Sequence, residues 1–273
     1  MPQPNILANL FPYLKRVPVL RRLFEVDPIA PRDPEALPRV IYMFWDTGLE
    51  TAPDLVRFCV ESWQRLNPGW TVTVLDGEAA RAIVDRADLP ASMSIQAYSD
   101  LLRITLLAER GGVWADATAL CLRPLDDWLA PVFVQADFFA FYRPGRDRIM
   151  SNWFMAATQG APLATSMRDF YLYFWKRPVI GRKPYFCFHY LFEYLVRISP
   201  SLRRQWQAVP RISAEPQHLL QDWHTQGARD PAPLAQIRQS HVQKLSYKIG
   251  LTVEDLRALL ATLDTQSTAK LLD

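Results

Sequence analysis

One short pattern near the middle of the chain constrains the fold most: a helical run, a pair of glycines and a strand that carries oxygen-bearing side chains. Ser99 is a candidate helix cap, and apolar residues at helical spacing follow it. Gly111-Gly112 can end this helix, because glycine accepts the left-handed backbone that a helix end requires. In the strand predicted over residues 113–119, alternate side chains point the same way. One of its two faces therefore carries Trp114, Asp116 and Thr118.

The polar side chains of this unit are of the kinds found in binding sites. Asp100 and Arg103 are three residues apart, so on a helix they share one face. A glycine pair followed by a strand with one aspartate is common in α/β proteins and indicates no site by itself. The combination of an aspartate, an arginine, an aromatic ring, a second aspartate and a hydroxyl at fixed spacing does indicate one.

The segment before this unit predicts the class of fold. Residues 39–45 form a strand rich in β-branched and aromatic side chains, residues 53–66 a helix, and residues 70–75 a second strand. A strand, a helix and a strand with tight turns open an α/β fold with a mostly parallel sheet flanked by helices. Ligands of such sheets bind beyond the carboxyl ends of the strands, where Trp45 lies.

These motifs resemble a known family. Ser-Asp-x-x-Arg followed by Gly-Gly-x-Trp-x-Asp-x-Thr resembles the core signature of the capsular-polysaccharide-synthesis glycosyltransferases. They belong to a wider group of retaining glycosyltransferases with a DXD motif, which includes yeast mannosyltransferases and the large clostridial toxins. The resemblance implies a GT-A-like, Rossmann-type α/β fold, which we expect to carry helical additions at both termini.

The resemblance also implies the roles of the central residues. Asp100 and Arg103 would contact the donor sugar, and Asp116 would hold the ribose and a divalent metal, Mn²⁺ or Mg²⁺. Trp114 would belong to the same donor site. Thr118 stands where the family usually has a second aspartate, and its neutral oxygen is a weaker ligand for a hard cation than a carboxylate.

Four further residues are assigned by resemblance to other parts of the family pattern. Trp45, in an opening Pro-x-Val-Ile-x-x-x-Trp, would stack on the nucleotide base; its alternative role is that of a core tryptophan. Asn152 would face the sugar. The closing Lys-Leu-Ser-x-Lys would place Lys244 and Lys248 at the leaving diphosphate, although an ordinary basic helix end fits this segment equally well.

His241 precedes the closing segment and is a candidate third metal ligand beside Asp116 and Thr118. A different histidine, His189, lies among aromatic residues of a predicted helix over residues 185–198, and a buried core position is the favoured interpretation there. Residues 143–148 contain three arginines and form a charged loop, which is expected either to be a solvated turn, the favoured interpretation, or to contact the acceptor or a phosphate.

We divide the chain into a basic amphipathic segment with its linker (residues 1–37), the glycosyltransferase domain (38–250) and a C-terminal helix (251–273). Residues 1–30 are suited to an anionic membrane surface, or equally to packing as a helix on the domain. Three separated cysteines, no transmembrane run and no signal peptide favour the cytoplasm, with a possible peripheral position on the inner face of the membrane.

The expected function is transfer of a sugar from a nucleotide-sugar, most often a UDP-sugar, to a polysaccharide, oligosaccharide or lipid-linked acceptor. The family resemblance implies retention of configuration and a role in capsule or surface-polysaccharide synthesis. A net charge of +3 gives no reason to expect nucleic acid as a partner. Two alternatives are a non-catalytic member that binds glycan or nucleotide, and a scaffold in a polysaccharide assembly complex.

Overall fold

The structure, a computed structural model, describes residues 37–176, 185–227 and 232–272. Its strands are β1 (Val40–Phe44), β2 (Thr71–Leu75), β3 (Gly112–Ala115), β4 (Ala119–Cys121), β5 (Phe138–Gly145), β6 (Arg148–Ala157) and β7 (Val242–Lys244). Its α-helices are α1 (Asp54–Leu66), α2 (Gly77–Arg81), α3 (Ile95–Arg110), α4 (Ala130–Gln135), α5 (Pro162–Lys176), α6 (Cys187–Ile198), α7 (Pro200–Ala208), α8 (Leu219–Thr225), α9 (Leu234–Gln239), α10 (Val253–Leu263) and α11 (Gln266–Leu272).

A central sheet of five strands, in the order β2-β1-β3-β6-β5, organises the fold. β1 pairs in parallel with both β2 and β3, whereas β6 runs antiparallel to both β3 and β5. Four of the five strands therefore point the same way, which confirms the predicted α/β fold with a mostly parallel sheet. A separate two-stranded sheet joins β4 to β7 and brings the C-terminal part of the chain to the centre.

Helices cover both faces of the sheet around β3. Trp63 of α1 stacks on Phe154 of β6, with 5.8 Å between ring centroids, and Phe154 is paired with Ala115. Arg103 of α3 instead lies over the ring of Trp114, at 5.1 Å. Since neighbouring residues of a strand face opposite sides, α1 and α3 cover opposite faces. This two-sided burial explains why β3 has no solvent-exposed residue.

The predicted glycine break between α3 and β3 is confirmed. Gly111 and Gly112 have φ angles of 69° and 99°, in the region that favours glycine. A Cβ atom on Gly112 would lie 2.7 Å from the carbonyl oxygen of Val40, so the side chain is excluded by the neighbouring strand as well as by the backbone. The glycine pair therefore lets the chain turn directly from the helix into the sheet.

Two boundaries of the central unit differ from the prediction. The cap of α3 is Ser94, whose Oγ accepts a hydrogen bond from the Ala97 amide at 3.2 Å, and not Ser99. Ser99 lies inside the helix, because favourable helix residues continue on both sides of it. The single strand expected over residues 113–119 is broken after β3, since the Ala119 amide turns back to the carbonyl of Asp116 at 2.7 Å.

The C-terminal region also differs from the prediction. It contains two helices, α10 and α11, where one was expected. Thr252 and Asp255 form a capping box that starts α10, and Asp264, with a φ of 46°, ends it. The predicted N-terminal segment lies outside the described residues, apart from Leu37. No helix in the described ranges is long and apolar enough to cross a membrane.

Candidate active site

A cavity of about 720 Å³ opens beyond the carboxyl ends of β1 and β3. Loops after these strands, the first half of α3, the start of β6, the first turn of α6 and the segment after β7 all contribute to its wall. Parallel strands whose carboxyl ends meet at one edge create such a crevice. Of the residues predicted from the sequence, the following line the cavity: Trp45, Asp100, Arg103, Asp116, Thr118, Asn152, Lys244 and Lys248.

Asp100 is the most deeply buried carboxylate of the cavity wall and is only 8% exposed. Its Oδ1 accepts a hydrogen bond from Nδ2 of Asn152 at 2.8 Å, and its Oδ2 accepts one from the Tyr171 hydroxyl at 3.4 Å. Burial raises the pKa of Asp100 to about 6, Arg103 partly opposes this shift and Asp116 adds to it. Asp100 is thus a carboxyl group that is costly to ionise and held in one orientation.

Arg103 joins the polar groups of the site into one array. Its Nη2 lies 3.4 Å from Oδ1 of Asp100 and 3.2 Å from Oδ1 of Asp116. Its Nη1 donates to the backbone carbonyl of Asn152, and its Nε to that of Ser99. A planar guanidinium with this many acceptors is fixed in position, so it can present the same donors to every ligand.

Trp114 supports the array from behind the cavity wall. It is 1% exposed, and its indole Nε1 donates to Oδ1 of Asp116 at 3.0 Å. The guanidinium of Arg103 lies over its ring. The structure therefore places Trp114 where it orients Asp116 and Arg103, and does not place it in the wall of the cavity.

Lys244 reaches the turn between β3 and β4. Pairing of Ala119 with Lys244, and a 3.0 Å hydrogen bond from the Leu245 amide to the carbonyl of Thr118, hold the two segments together. The ammonium donates to Oγ1 of Thr118 and lies 3.6 Å from Oδ2 of Asp116. One cation thus already contacts both side chains that the sequence proposed as metal ligands.

The predicted third ligand, His241, is not brought to this point. Its ring packs on Trp128, with 4.4 Å between centroids, and it is not among the described residues that line the cavity. Burial, together with the charge of Arg123, lowers the pKa of His241 to about 4. Within the described ranges no group of three His, Cys, Asp or Glu side chains is arranged to hold a metal ion. His241 therefore does not join Asp116 and Thr118 at one point.

An aromatic pair forms another part of the cavity wall. Trp45 follows β1, and its ring meets that of Tyr247 edge to face, with 5.4 Å between centroids. The ammonium of Lys248 lies 5.6 Å from the Tyr247 ring. Tyr247 is 42% exposed, so this pair offers open ring surface beside a positive charge.

Two residues that the sequence did not assign to a site also line the cavity. Arg148 stacks on Phe186 at 3.9 Å, and Asp147 accepts from its Nε at 3.1 Å. His189 is buried, as predicted, but it lines the cavity too. Burial and the charges of Arg148 and Arg103 lower the pKa of His189 to about 3, so its imidazole is neutral at neutral pH. The sequence marked Arg148 only as one of three arginines in a charged loop, and it marked His189 as a core residue, because the position of both depends on how α6 packs on β6.

Comparisons with known proteins identify the family of the chain. Residues 24–259 match the family described as "Capsular polysaccharide synthesis protein". The chain is 27% identical over 218 residues to O-glycosyltransferase braB of Annulohypoxylon truncatum, a match that covers 66% of this chain and 51% of that protein. It is 30% identical over 168 residues to O-glycosyltransferase PaGT of Phomopsis amygdali, with coverage of 54% and 40%.

A solved structure, the PaToxG glycosyltransferase, aligns over 98% of this chain and 93% of its own, with 12% identity and a TM-score of 0.42. The chain spans about half the length of the first curated relative and less of the second. Both of these curated relatives are named O-glycosyltransferases. The chain is a member of the capsular polysaccharide synthesis protein family, as the sequence motifs predicted.

Proposed function

We propose that this chain transfers a sugar from a nucleotide-sugar, with a UDP-sugar as the expected donor, to a hydroxyl group of a polysaccharide, oligosaccharide or lipid-linked acceptor. Retention of configuration and a role in capsule or surface-polysaccharide synthesis are part of the proposal. One observation carries it: Asp100, Arg103 and Asp116 form a single array in the wall of a cavity that Trp45 also lines.

The array is suited to holding the donor sugar. The Asp100 carboxylate can accept from sugar hydroxyls, and the Arg103 guanidinium can donate to their oxygens. Asn152 already donates to Asp100 at 2.8 Å and lines the same wall, so the second hydrogen of its amide can be donated to a sugar hydroxyl. Because these groups hold one another in place, little ordering remains when a sugar binds.

The rest of the cavity is suited to the nucleotide and its diphosphate. Trp45 and Tyr247 supply ring surface on which a base can stack. Lys244 and Lys248 line the cavity from the segment after β7, and their ammonium groups can approach phosphate oxygens. A donor bound in this way would extend from the aromatic pair to the Asp100–Arg103 array.

The proposed reaction exchanges one bond at the anomeric carbon. The bond to the diphosphate oxygen breaks, and its electron pair leaves with the diphosphate. The acceptor oxygen bonds to the same carbon from the same face, and the proton of the acceptor hydroxyl passes to a departing phosphate oxygen. Arg103 and the two lysines stabilise the negative charge that develops on the diphosphate.

Release of nucleotide tests this proposal. The protein is offered UDP-, GDP- and CDP-sugars, with and without oligosaccharide and lipid-linked acceptors. We expect release from one donor, and a loss of about a hundredfold or more in Asp116→Asn, because the amide keeps the shape of the side chain and loses its charge. Asp126→Asn is the matched control: Asp126 pairs with Arg39 at 2.8 Å on the surface and should retain activity.

Three results would count against the proposal. Activity of Asp116→Asn equal to that of the unmodified chain would remove Asp116 from the reaction. Saturable nucleotide-sugar binding without product, whatever the acceptor, would favour the non-catalytic binding protein. No binding and no release from any donor would favour the scaffold.

A further inference from the structure

Lys244 places a positive charge directly beside Asp116 and Thr118, a contact that the sequence motif alone does not predict. The ammonium donates to Oγ1 of Thr118 and lies 3.6 Å from Oδ2 of Asp116. By the resemblance described above, Thr118 stands at the position of a second aspartate that would bind a metal. A positive charge supplied by the chain therefore lies between the two positions from which the motif would hold a cation.

The backbone fixes this arrangement. Lys244 is the last residue of β7, and its partner across the small sheet is Ala119, which directly follows Thr118. The Leu245 amide bonds the carbonyl of Thr118 at 3.0 Å, and the ammonium also donates to the carbonyl of Leu245 at 3.2 Å. The side chain is about one-fifth exposed, so the ammonium is held against the turn while remaining in the cavity wall.

The charges around Asp116 leave little reason for a divalent cation to bind there. Nη2 of Arg103 lies 3.2 Å from Oδ1 of this carboxylate, so two cations already share its single negative charge. A dication on Asp116 would stand within a few ångströms of both and be repelled by them. Mg²⁺ and Ca²⁺ prefer several anionic or neutral oxygens, whereas Oγ1 of Thr118 already accepts a hydrogen bond from Lys244.

We propose that Lys244 replaces the divalent cation: its ammonium binds the diphosphate of the donor directly, and nucleotide binding by this chain requires no metal. The inference rests on the proposed function and specifies how the same cavity holds the donor. When the bond to the anomeric carbon breaks, the electron pair moves onto a phosphate oxygen beside the ammonium. Lys244 acts there as a fixed charge and transfers no proton.

Calorimetry of nucleotide binding tests the inference without depending on turnover. UDP, GDP, CDP and inorganic pyrophosphate are titrated into the full chain in EDTA and again in Mn²⁺. We expect the same dissociation constant in both buffers, within about twofold. Lys244→Met should weaken binding about tenfold or more in EDTA, as expected for the loss of one charged hydrogen bond. Lys244→Arg keeps the charge and should retain most of the affinity.

Two further variants sharpen the experiment. Thr118→Asp combined with Lys244→Ala restores the family's pair of carboxylates and removes the ammonium. This double variant should bind nucleotide in Mn²⁺ and lose that binding in EDTA. Lys270→Met removes an exposed lysine of α11 and is the matched control for loss of one positive charge. Its dissociation constants should equal those of the unmodified chain.

The inference is overturned if Mn²⁺ strengthens binding to the unmodified chain more than about tenfold. It is also overturned if Lys244→Met, folded by circular dichroism, binds as tightly as the unmodified chain in EDTA. If Lys244→Met does not fold, the other two variants decide. The inference is then overturned if Lys244→Arg loses as much affinity as Thr118→Asp/Lys244→Ala and Mn²⁺ restores the affinity of neither. Absence of binding of all four probes in both buffers removes the proposed function itself, and the inference with it.

Discussion

At the scale of single residues, Asp100 is the most constrained group of the site. It is buried beside Arg103 and receives hydrogen bonds from Asn152 and Tyr171, and in the proposed complex its carboxylate accepts from sugar hydroxyls. Burial favours the protonated carboxyl, whereas the proposed binding favours the carboxylate. The pKa of about 6 follows from burial, which Arg103 partly opposes and Asp116 reinforces.

The raised pKa of Asp100 predicts how the stability of the fold depends on pH. The pKa of Asp100 in the folded chain, about 6, is above its ordinary value of 3.8, so the folded state binds the proton more tightly than the unfolded state. The contribution of Asp100 is therefore most favourable below about pH 4 and is lost as the pH rises through about 6.

Asp100→Asn removes that dependence, because the amide does not titrate. Relative to the unmodified chain, the variant should gain about 1–3 kcal/mol in free energy of unfolding between about pH 4 and about pH 7.5. Urea denaturation at the two pH values measures this difference. A constant offset between the chains at both values would contradict the assigned pKa.

The residues of the site differ in how well the sequence reveals them. Asp100, Arg103 and Asp116 stand in one short motif, so local spacing was sufficient to find them. Lys244 is far along the chain, and only the closing motif of the family pointed to it. His189 gave no signal, because a buried histidine in an aromatic helix has the same pattern whether or not a cavity reaches it.

At the scale of elements, the glycine pair determines how α3 joins β3 and hence where Asp116 lies. The Gly112 amide group begins β3 between Val40 on one side and Ala157 on the other. A side chain at this position would have to displace the carbonyl of Val40 in the adjacent strand. The backbone at φ 99° would also be unfavourable for any other residue.

Gly112→Ala should therefore reduce the free energy of unfolding by more than about 2 kcal/mol, because strain and a steric clash combine. Gly160→Ala is the matched control. Gly160 has a φ of 74° and no atom within 4 Å of the added Cβ, so strain alone should cost about 1–2 kcal/mol. Denaturation midpoints of the two variants give the comparison. Equal losses would show that the approach of Val40 does not restrict this turn.

Elements defined by local signals were predicted well, and those defined by distant partners were not. The residue patterns of β1, α1 and β2 predicted that the sheet begins with a parallel pair of strands, as the structure has it. The break between β3 and β4 depends on pairing of β4 with β7, more than a hundred residues later, which no local pattern contains. The predicted loop over residues 143–148 is instead the end of the β5–β6 hairpin, in which Gly145 pairs with Arg148.

At the scale of the whole molecule, the proposed donor and the proposed membrane surface would bind different parts of the chain. The cavity is built from the domain, whereas the basic residues Lys15, Arg16, Arg21 and Arg22 belong to the segment before it. We propose that this segment binds the anionic surface of a membrane and so keeps the chain near lipid-linked or growing acceptors. Each basic residue near such a surface contributes roughly 1 kcal/mol.

Replacing these four residues by glutamine in the full chain should weaken binding to anionic phosphatidylglycerol vesicles by up to about 4 kcal/mol, or roughly a thousandfold. Sedimentation with vesicles measures the bound fraction. Neutral phosphatidylcholine vesicles and high salt are the controls, and both should reduce binding of the unmodified chain. Equal sedimentation of the two chains would show that these four basic residues do not bind the chain to the membrane surface.

The most direct test of the account is the structure of the chain in complex with a non-transferable analogue of the donor from which it releases nucleotide. We predict the base against Trp45 and Tyr247, the diphosphate within hydrogen-bonding distance of the Lys244 ammonium, and the sugar on Asp100, Arg103 and Asn152. A nucleotide bound outside this cavity, or a sugar at the aromatic end with the base on Asp100, would contradict the account.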